Sequence, residues 1–258
     1  MMPSETLPPG AGGAGSADFA SPGQTPPELV AAPWHTVTVL LLLVGIGALS
    51  AWSASRLPAG STGGYFRIQS YALVFVWEWL TVAFIAWGVR RRGSGLSSLV
   101  GGSWPQASAI FRDLAVAMIF LFGSSVILGA LQLAMRATPK AVVREILPQT
   151  PLETVLWILL SATAGFCEET IFRGYLQRQL SVFSGNLNAG LVLQGVVFGL
   201  CHGYQGVKSA VTIGVYGCLF GMLARWRQSL RPGMMAHFLQ DGVGGLVMRE
   251  ILKRYPLG

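Results

Sequence analysis

Two uncharged runs decide what this chain can fold into. From Thr36 to Ser55 no Asp, Glu, Lys or Arg occurs in twenty residues, and Leu114 to Met135 is equally free of charge. At about 1.5 Å of rise per residue, a helix of that length crosses a hydrocarbon slab of about 30 Å. A further run, from about Ile68 to Val89, is interrupted by Glu78 and closes on Arg90, Arg91 and Arg92. A backbone in lipid must satisfy its own hydrogen bonds, and these runs do not alternate as barrel strands do, so helices are expected. Composition agrees, with 52% hydrophobic residues against 11% charged and a mean hydropathy of +0.54.

The second half of the chain is apolar in a different way. Stretches near 154–176, 187–205, 209–224 and 233–248 carry Gly and polar groups throughout, as helices do when they line something polar. Adding them gives an all-α polytopic integral membrane helix bundle of about seven spans. The expected divisions are a disordered Pro- and Gly-rich tail over 1–33, N-terminal transmembrane helices over 34–149, a more polar transmembrane core over 150–248 and a basic tail over 249–258. Trp34, Trp52, Trp77, Trp79, Trp87 and Trp226 are expected to anchor span ends at the headgroups, with His35 as an interfacial residue.

The formal charge of +7 does not point to nucleic acid, because the cations flank the apolar runs as they flank membrane spans. The expected partner of Arg249, Lys253 and Arg254 is the lipid bilayer, through its anionic headgroups. Seven spans divide the basic residues evenly between the two sides, so orientation rests on the Arg90–Arg92 cluster. That cluster favours a cytoplasmic loop and a cytoplasmic N-terminus. The expected location is the bacterial cell membrane. Cys167, Cys201 and Cys218 form neither a disulfide framework nor a zinc knuckle, being odd in number and without CxxC spacing.

Ionisable groups inside apolar helices are costly, about 2.5–3.5 kcal/mol for Asp on insertion scales, and mark function by default. Three clusters qualify. Glu169 and Arg173 stand at i and i+4 with the acid first, the favourable order on a helix, which leaves Glu168 without a local partner. Phe198 and His202 lie one turn apart, as do His237 and Asp241. Peptide hydrolysis needs a base to activate water, a proton donor for the leaving amine and donors for the oxyanion. Glu168 with His202 can supply the first two, and His237 with Asp241 can polarise the scissile carbonyl.

These residues resemble the CPBP intramembrane proteases (CAAX prenyl protease and bacteriocin-processing, or Abi, family), which include the type II CAAX prenyl endopeptidases. The family's Glu-Glu-x-x-x-Arg, Phe-x-x-x-His and His-x-x-x-Asn/Asp motifs read here as Glu168-Glu169 with Arg173, Phe198 with His202, and His237 with Asp241, in order over about 150–247. The resemblance implies an intramembrane endopeptidase whose catalytic residues are Glu168, His202, His237 and Asp241. It implies that Glu169, Arg173 and Phe198 support the site, and that the substrate is a membrane-associated peptide or lipidated protein. Asp241 departs from the Asn of many relatives, since a carboxylate donates no hydrogen bond unless protonated.

Two rivals stand beside this reading. Glu168, His202 and His237 could hold zinc with water in the open position, but no His-Glu-x-x-His helix fixes two ligands and a base together, so a metal-free glutamate mechanism is favoured and no cofactor is required. The same polar groups could also stabilise a non-enzymatic scaffold or carry protons in a transporter. Glu78 fits either an Arg partner or an acid bordering the chamber; it lies outside the family motifs and is not assigned to the site.

Overall fold

The computed structural model describes residues 28–56, 64–137 and 141–254. The expected tail up to residue 27 and the last four residues of the expected basic tail lie outside the described residues.

The uncharged runs become Pro33–Arg56 (α1) and Gly64–Arg90 (α2) and, after a short helix Leu96–Val100 (α3), Ala107–Ala134 (α4). Ala141–Ile146 (α5) leads to Pro151–Glu168 (α6), which runs on through a π-helical stretch, Glu169–Leu176, into Gln177–Ser184 (α7). Leu187–Cys201 (α8), a 3-10 turn at Gly203–Gln205, Val207–Arg227 (α9) and Arg231–Arg254 (α10) complete the described chain. Among the described residues there is no strand.

Helices therefore stand at all seven expected places. Among the described residues five segments are long and apolar enough to cross a membrane: α1, α2, α4, the continuous Pro151–Ser184 and α9. The other two differ for visible reasons. With 15 residues, α8 rises only about 22 Å, short of a full hydrocarbon slab, and α10 carries His237, Gln240 and Asp241 along its length. On the outer faces Phe122 is 76% exposed and Ile119 73%, the apolar surface that lipid covers. The protein is integral to the membrane.

Local sequence explains the joints. Thr150 caps α6, its hydroxyl accepting from the Glu153 N–H at 3.2 Å while Glu153 Oε2 accepts from the Thr150 N–H at 3.2 Å, a capping box with Pro151 in the first turn. Arg67 of α2 adds its Nε at 3.1 Å to the same Glu153 oxygen, so the cap also ties α2 to α6. Asp113 does the equivalent for α4, taking Trp104 Nε1 at 2.9 Å, Arg227 Nη2 at 3.2 Å and Arg231 Nε at 3.5 Å.

Close approach of the helices in the second half of the chain depends on small residues. Gly195 and Gly199 of α8 face α9 so tightly that a Cβ on either would press on a backbone carbonyl, that of Gly214 and that of Ala210 respectively. Spacing of Gly-x-x-x-Gly on an apolar helix serves this kind of packing in lipid. Gly165 plays the same part for α6, where a Cβ would stand 2.8 Å from the Met234 carbonyl of α10.

Three details depart from expectation. His35 is buried, not interfacial: Nε2–H donates to the Phe84 carbonyl at 3.0 Å, Nδ1 meets the Tyr175 hydroxyl at 2.7 Å, and the ring stacks on Phe84. The segment before α1 is already fastened, since the Val30 N–H donates to Gln179 Oε1 at 2.8 Å and Ala31 is fully buried. At the other end, residues 249–254 continue α10, with Glu250 accepting from Arg249 and Lys253.

The glycine seam yields a paired prediction. Gly199→Ala forces overpacking against α9, expected to cost about 1–3 kcal/mol, whereas Gly129 of α4 has open space around it and Gly129→Ala is expected to be neutral or slightly stabilising. Thermal unfolding of the two detergent-solubilised variants checks this: Gly199→Ala should melt several degrees lower than the parent, and Gly129→Ala should not.

Candidate active site

The site is built where α6 turns into the π-helical stretch, against α8, α9 and α10. A π-helix places successive side chains differently from an α-helix and is frequent at functional sites. Here it begins at Glu169, and the whole stretch from Glu169 to Leu176 is buried.

Glu169 is fully buried, and one of its oxygens takes two partners. Arg173 Nη1 stands 2.9 Å from Glu169 Oε1, and His237 Nδ1 stands 3.0 Å from the same atom. A carboxylate only accepts, so the imidazole proton lies on Nδ1. Glu169 Oε2 fits against Gly233, where a Cβ would approach to 3.0 Å; a larger residue at the start of α10 would displace the carboxylate. The orienting acid for His237 is thus Glu169, from another helix, while Asp241 lies on the other ring nitrogen.

Arg173 is held by aromatic faces as much as by its ion pair. Its guanidinium carbon lies 4.3 Å from the Phe198 ring centroid and 4.9 Å from that of Phe220, cation–π contacts that gain strength away from water. Its Nη2 donates to the Gly217 carbonyl at 3.4 Å. The supporting role expected of Phe198 has a geometric form: the ring packs edge-on to Phe172 at 4.8 Å, lies 4.8 Å from the His202 ring and 6.2 Å from His237. One aromatic side chain therefore spaces both histidines and covers the arginine.

The open side of the site carries the other acids. His237 Nε2 lies 3.5 Å from Glu168 Oε2 and 3.5 Å from Asp241 Oδ2, within electrostatic reach but long for hydrogen bonds. The Asp241 side chain is 40% exposed and that of Glu168 18%, against 7% for His237, so the site opens on the Glu168–Asp241 side and closes on the Glu169–Arg173 side. The Asp241 carbonyl accepts from Trp157 Nε1 at 2.9 Å, which fixes this part of α10 against α6.

His202 sits at the C-terminal end of α8, where the helix gives way to the 3-10 turn. Its Nδ1–H donates to the Phe198 carbonyl at 2.9 Å, and because a carbonyl only accepts, the neutral ring presents a free lone pair at Nε2. Among the described residues no hydrogen bond or ion pair joins His202 to Glu168. The motifs thus bring Glu168, Glu169, Arg173, His237 and Asp241 into one cluster, with His202 at its edge across Phe198.

Glu78 belongs to this cluster, although its position outside the motifs gave no reason to place it there. It is 4% exposed, with Glu168, His237 and Asp241 as its charged neighbours. The signal in the sequence was the acid itself, alone in the apolar α2. Cys167 is fully buried and Cys201 Sγ points to the Leu43 carbonyl at 3.6 Å, so neither thiol faces a histidine as a nucleophile would. Among the described residues no three His, Cys, Asp or Glu side chains gather so as to hold a metal ion.

Residues 150–243 match the family described as Type II CAAX prenyl endopeptidase Rce1-like. The matched segment opens at the Thr150 cap and ends just beyond Asp241, and so takes in all three motifs. No curated protein and no solved structure matches the chain.

The buried pair sets a stability prediction. Arg173→Ala leaves Glu169 uncompensated in an apolar interior and is expected to destabilise by about 3–5 kcal/mol. Replacing both members with apolar residues, Glu169→Leu with Arg173→Met, removes the unpaired charge. The double variant should recover yield and thermal midpoint relative to Arg173→Ala; equal midpoints for parent and Arg173→Ala would show the pair to be a solvated contact.

Proposed function

We infer, from the membership of residues 150–243 in the type II CAAX prenyl endopeptidase Rce1-like family of intramembrane proteases, that this membrane protein hydrolyses a peptide bond of a membrane-associated peptide or lipidated protein with water activated by Glu168 and His202. The observation that carries the mechanism is the division of the cluster into two sides. Glu169 and Arg173 are fully enclosed and ion-paired at 2.9 Å, with His237 Nδ1 on the same Glu169 oxygen at 3.0 Å, whereas Glu168, 18% exposed, lies on the side that opens.

The chemistry then follows from the donors and acceptors present. Water held between the Glu168 carboxylate and the open Nε2 of His202 gives its proton to Glu168 as its oxygen bonds to the scissile carbonyl carbon. The carbonyl electron pair moves onto oxygen, and His237 Nε2–H is placed to donate to that oxyanion. With Nδ1–H directed to Glu169 and Nε2–H to the oxyanion, His237 acts as an imidazolium already protonated before the attack, and the carboxyls of Glu169, Glu168 and Asp241 at 3.0, 3.5 and 3.5 Å surround it. Asp241 acts here through its charge beside Nε2 at 3.5 Å, a carboxylate in a position where Asn would donate. The oxyanion then collapses, the C–N bond breaks and Glu168 returns its proton to the leaving amine. One water is added across the peptide bond. Donors aimed at charge that develops only in the transition state are worth most in a water-poor site.

No step in this scheme passes through a metal. The prediction combines a variant with a chelator. Glu168→Gln retains size and hydrogen bonding but not the base, so folded, abundant protein is expected with hydrolysis of a prenylated C-terminal peptide reduced about 10²- to 10⁴-fold; His202→Ala should lose a similar amount. A strong chelator should leave the parent active. Loss on chelation with recovery on adding zinc would establish the metal-dependent alternative, and full turnover by Glu168→Gln would remove the assignment of the base.

A further inference from the structure

His35 and Gln179 close the two ends of a buried hydrogen-bond chain that the catalytic scheme does not use. The chain joins α1 and the residues before it to α2, the π-helical stretch and α7. Thr36, Tyr175 and Gln179 are fully buried, and His35 is 1% exposed. His35 Nε2 lies 3.0 Å from the Phe84 carbonyl and Nδ1 2.7 Å from the Tyr175 hydroxyl, whose oxygen lies 3.0 Å from Thr36 Oγ1. Gln179 Nε2 donates to Thr36 Oγ1 and, at 3.1 Å, to the Ala31 carbonyl. Gln179 Oε1 accepts from the Val30 N–H at 2.8 Å and the Ala31 N–H at 3.4 Å. The seat of the imidazole is specific, since a Cβ on Gly88 of α2 would overlap the ring.

Backbone groups stand at both ends of the chain, so its direction is fixed. The Phe84 carbonyl only accepts, which puts the single proton of a neutral imidazole on Nε2 and makes Nδ1 the acceptor for Tyr175 O–H. Thr36 O–H is then the donor to the Tyr175 oxygen, and both amide hydrogens of Gln179 are in use. A second proton on His35 would set N–H against O–H. Turning Tyr175 toward Thr36 only moves the conflict, because Thr36 O–H then loses its acceptor and Gln179, held by the Val30 N–H and the Ala31 carbonyl, cannot reverse. The cation would also lack a counter-charge. Trp34, Phe84, Trp87 and Tyr175 surround the ring, and Tyr175 is the titratable group among them. The charge beside that aromatic shell is another cation, Arg91, 4.7 Å from the Trp87 centroid, while Arg178 of α7 turns away to the Ser98 and Leu99 carbonyls. An unpaired charge and an unsatisfied donor are each costly in an apolar interior.

We propose that His35 is a proton-sensitive latch on the site: neutral, it holds the start of α1 and the end of α2 against the π-helical stretch through Tyr175, and protonated, it releases Tyr175, so that turnover falls when the membrane face at which α1 begins is acidified. Tyr175 stands two residues beyond Arg173, in the same buried stretch whose first residue, Glu169, orients His237. His35 lies in the first turn of α1 beside Trp34, which is 54% exposed, so the path from that face to the imidazole is short. For turnover the inference rests on the proposed peptidase reading of the site; the latch itself belongs to the fold and is read without substrate.

The test uses the full chain in nanodiscs between about pH 8 and about pH 5, the range in which an imidazole changes charge. Turnover of the prenylated peptide, the thermal midpoint and the nitrogen NMR spectrum of ring-labelled histidine are read on the same preparations. The spectrum separates the three histidines, because His35 carries its proton on Nε2, His202 on Nδ1 and His237 on both. On acidification the Nε2–H signal should convert to imidazolium, with turnover lost about tenfold per pH unit below the conversion and a thermal midpoint that falls over the same range. His35→Gln supplies a carbonyl for Tyr175 and an N–H for Phe84 but takes up no proton. Its turnover should match the parent within about twofold at the alkaline end and exceed it about tenfold or more at the acid end. An Nε2–H signal that persists while turnover is lost would overturn the proposal, as would turnover retained after conversion, or an acid loss in His35→Gln equal to that of the parent. The parent's spectrum and midpoint decide the matter even if His35→Gln does not fold. Glu168→Gln keeps the two readings apart: the conversion and the fall in midpoint should persist in it, so full turnover by Glu168→Gln removes the base and leaves the latch, whereas a midpoint and spectrum insensitive to pH remove the latch and leave the base.

Discussion

A single buried oxygen, Glu169 Oε1, carries the arrangement of this site. It meets Arg173 at 2.9 Å and His237 at 3.0 Å, and through those two partners it joins the π-helical stretch to three other helices. Arg173 reaches α8 through the face of Phe198 and α9 through Phe220 and the Gly217 carbonyl. His237 brings in α10. In lipid there is no hydrophobic force to hold helix against helix, so close packing and internal polar contacts must do so. A buried ion pair contributes little net stability against an apolar substitute, but it is severe on its own disruption. Such a pair is better suited to fixing one geometry than to adding stability, and the geometry it fixes is that of an imidazole whose Nδ1 is occupied and whose Nε2 faces the open side.

The remaining acids make sense as a consequence. Once Glu169 is committed to Arg173 and His237, Glu168 is the adjacent residue rotated toward the opening, and it lacks a compensating cation apart from His237. Glu78 and Asp241 add two further acids around the same imidazole. A cluster with four carboxyls and a single buried guanidinium in an apolar surrounding is poor for stability, and the fold compensates elsewhere. The Thr150–Glu153 capping box, the ion pairs of Asp113 with Arg227 and Arg231, and the glycine seam between α8 and α9 join helices away from those acids. Stability and reactivity are thus placed in different parts of one bundle.

Much of this was legible in the amino-acid sequence, and the parts that were not have physical reasons. Uncharged runs announce membrane helices because lipid offers the backbone no partner, so α1, α2 and α4 appear where composition places them. The paired spacing of Glu169 with Arg173 and of His237 with Asp241 reads directly as one helix face. What spacing cannot express is contact between helices: that Nδ1 of His237 is taken by Glu169, or that Phe198 separates the two histidines. His35 was misplaced for the same reason, since its partners Tyr175 and Phe84 lie 140 and 49 residues away. The π-helical stretch, in which Glu169 and Arg173 are both buried, has no signature in local propensity. The Thr150-to-Glu153 capping box, by contrast, was present in the sequence and sets the start of α6 at Pro151, before the apolar pattern alone would begin it.

The central claim is that water, activated inside the bilayer by a carboxylate, is the nucleophile for peptide hydrolysis. Its most direct measurement is product analysis by mass spectrometry after the purified protein, reconstituted in liposomes, acts on a prenylated C-terminal peptide in water enriched in heavy oxygen. The account predicts cleavage at one peptide bond with a single heavy oxygen in the newly formed carboxylate and none in the released amine fragment. An intact peptide after incubation with folded, reconstituted protein, or a cleaved product lacking heavy oxygen, would contradict it.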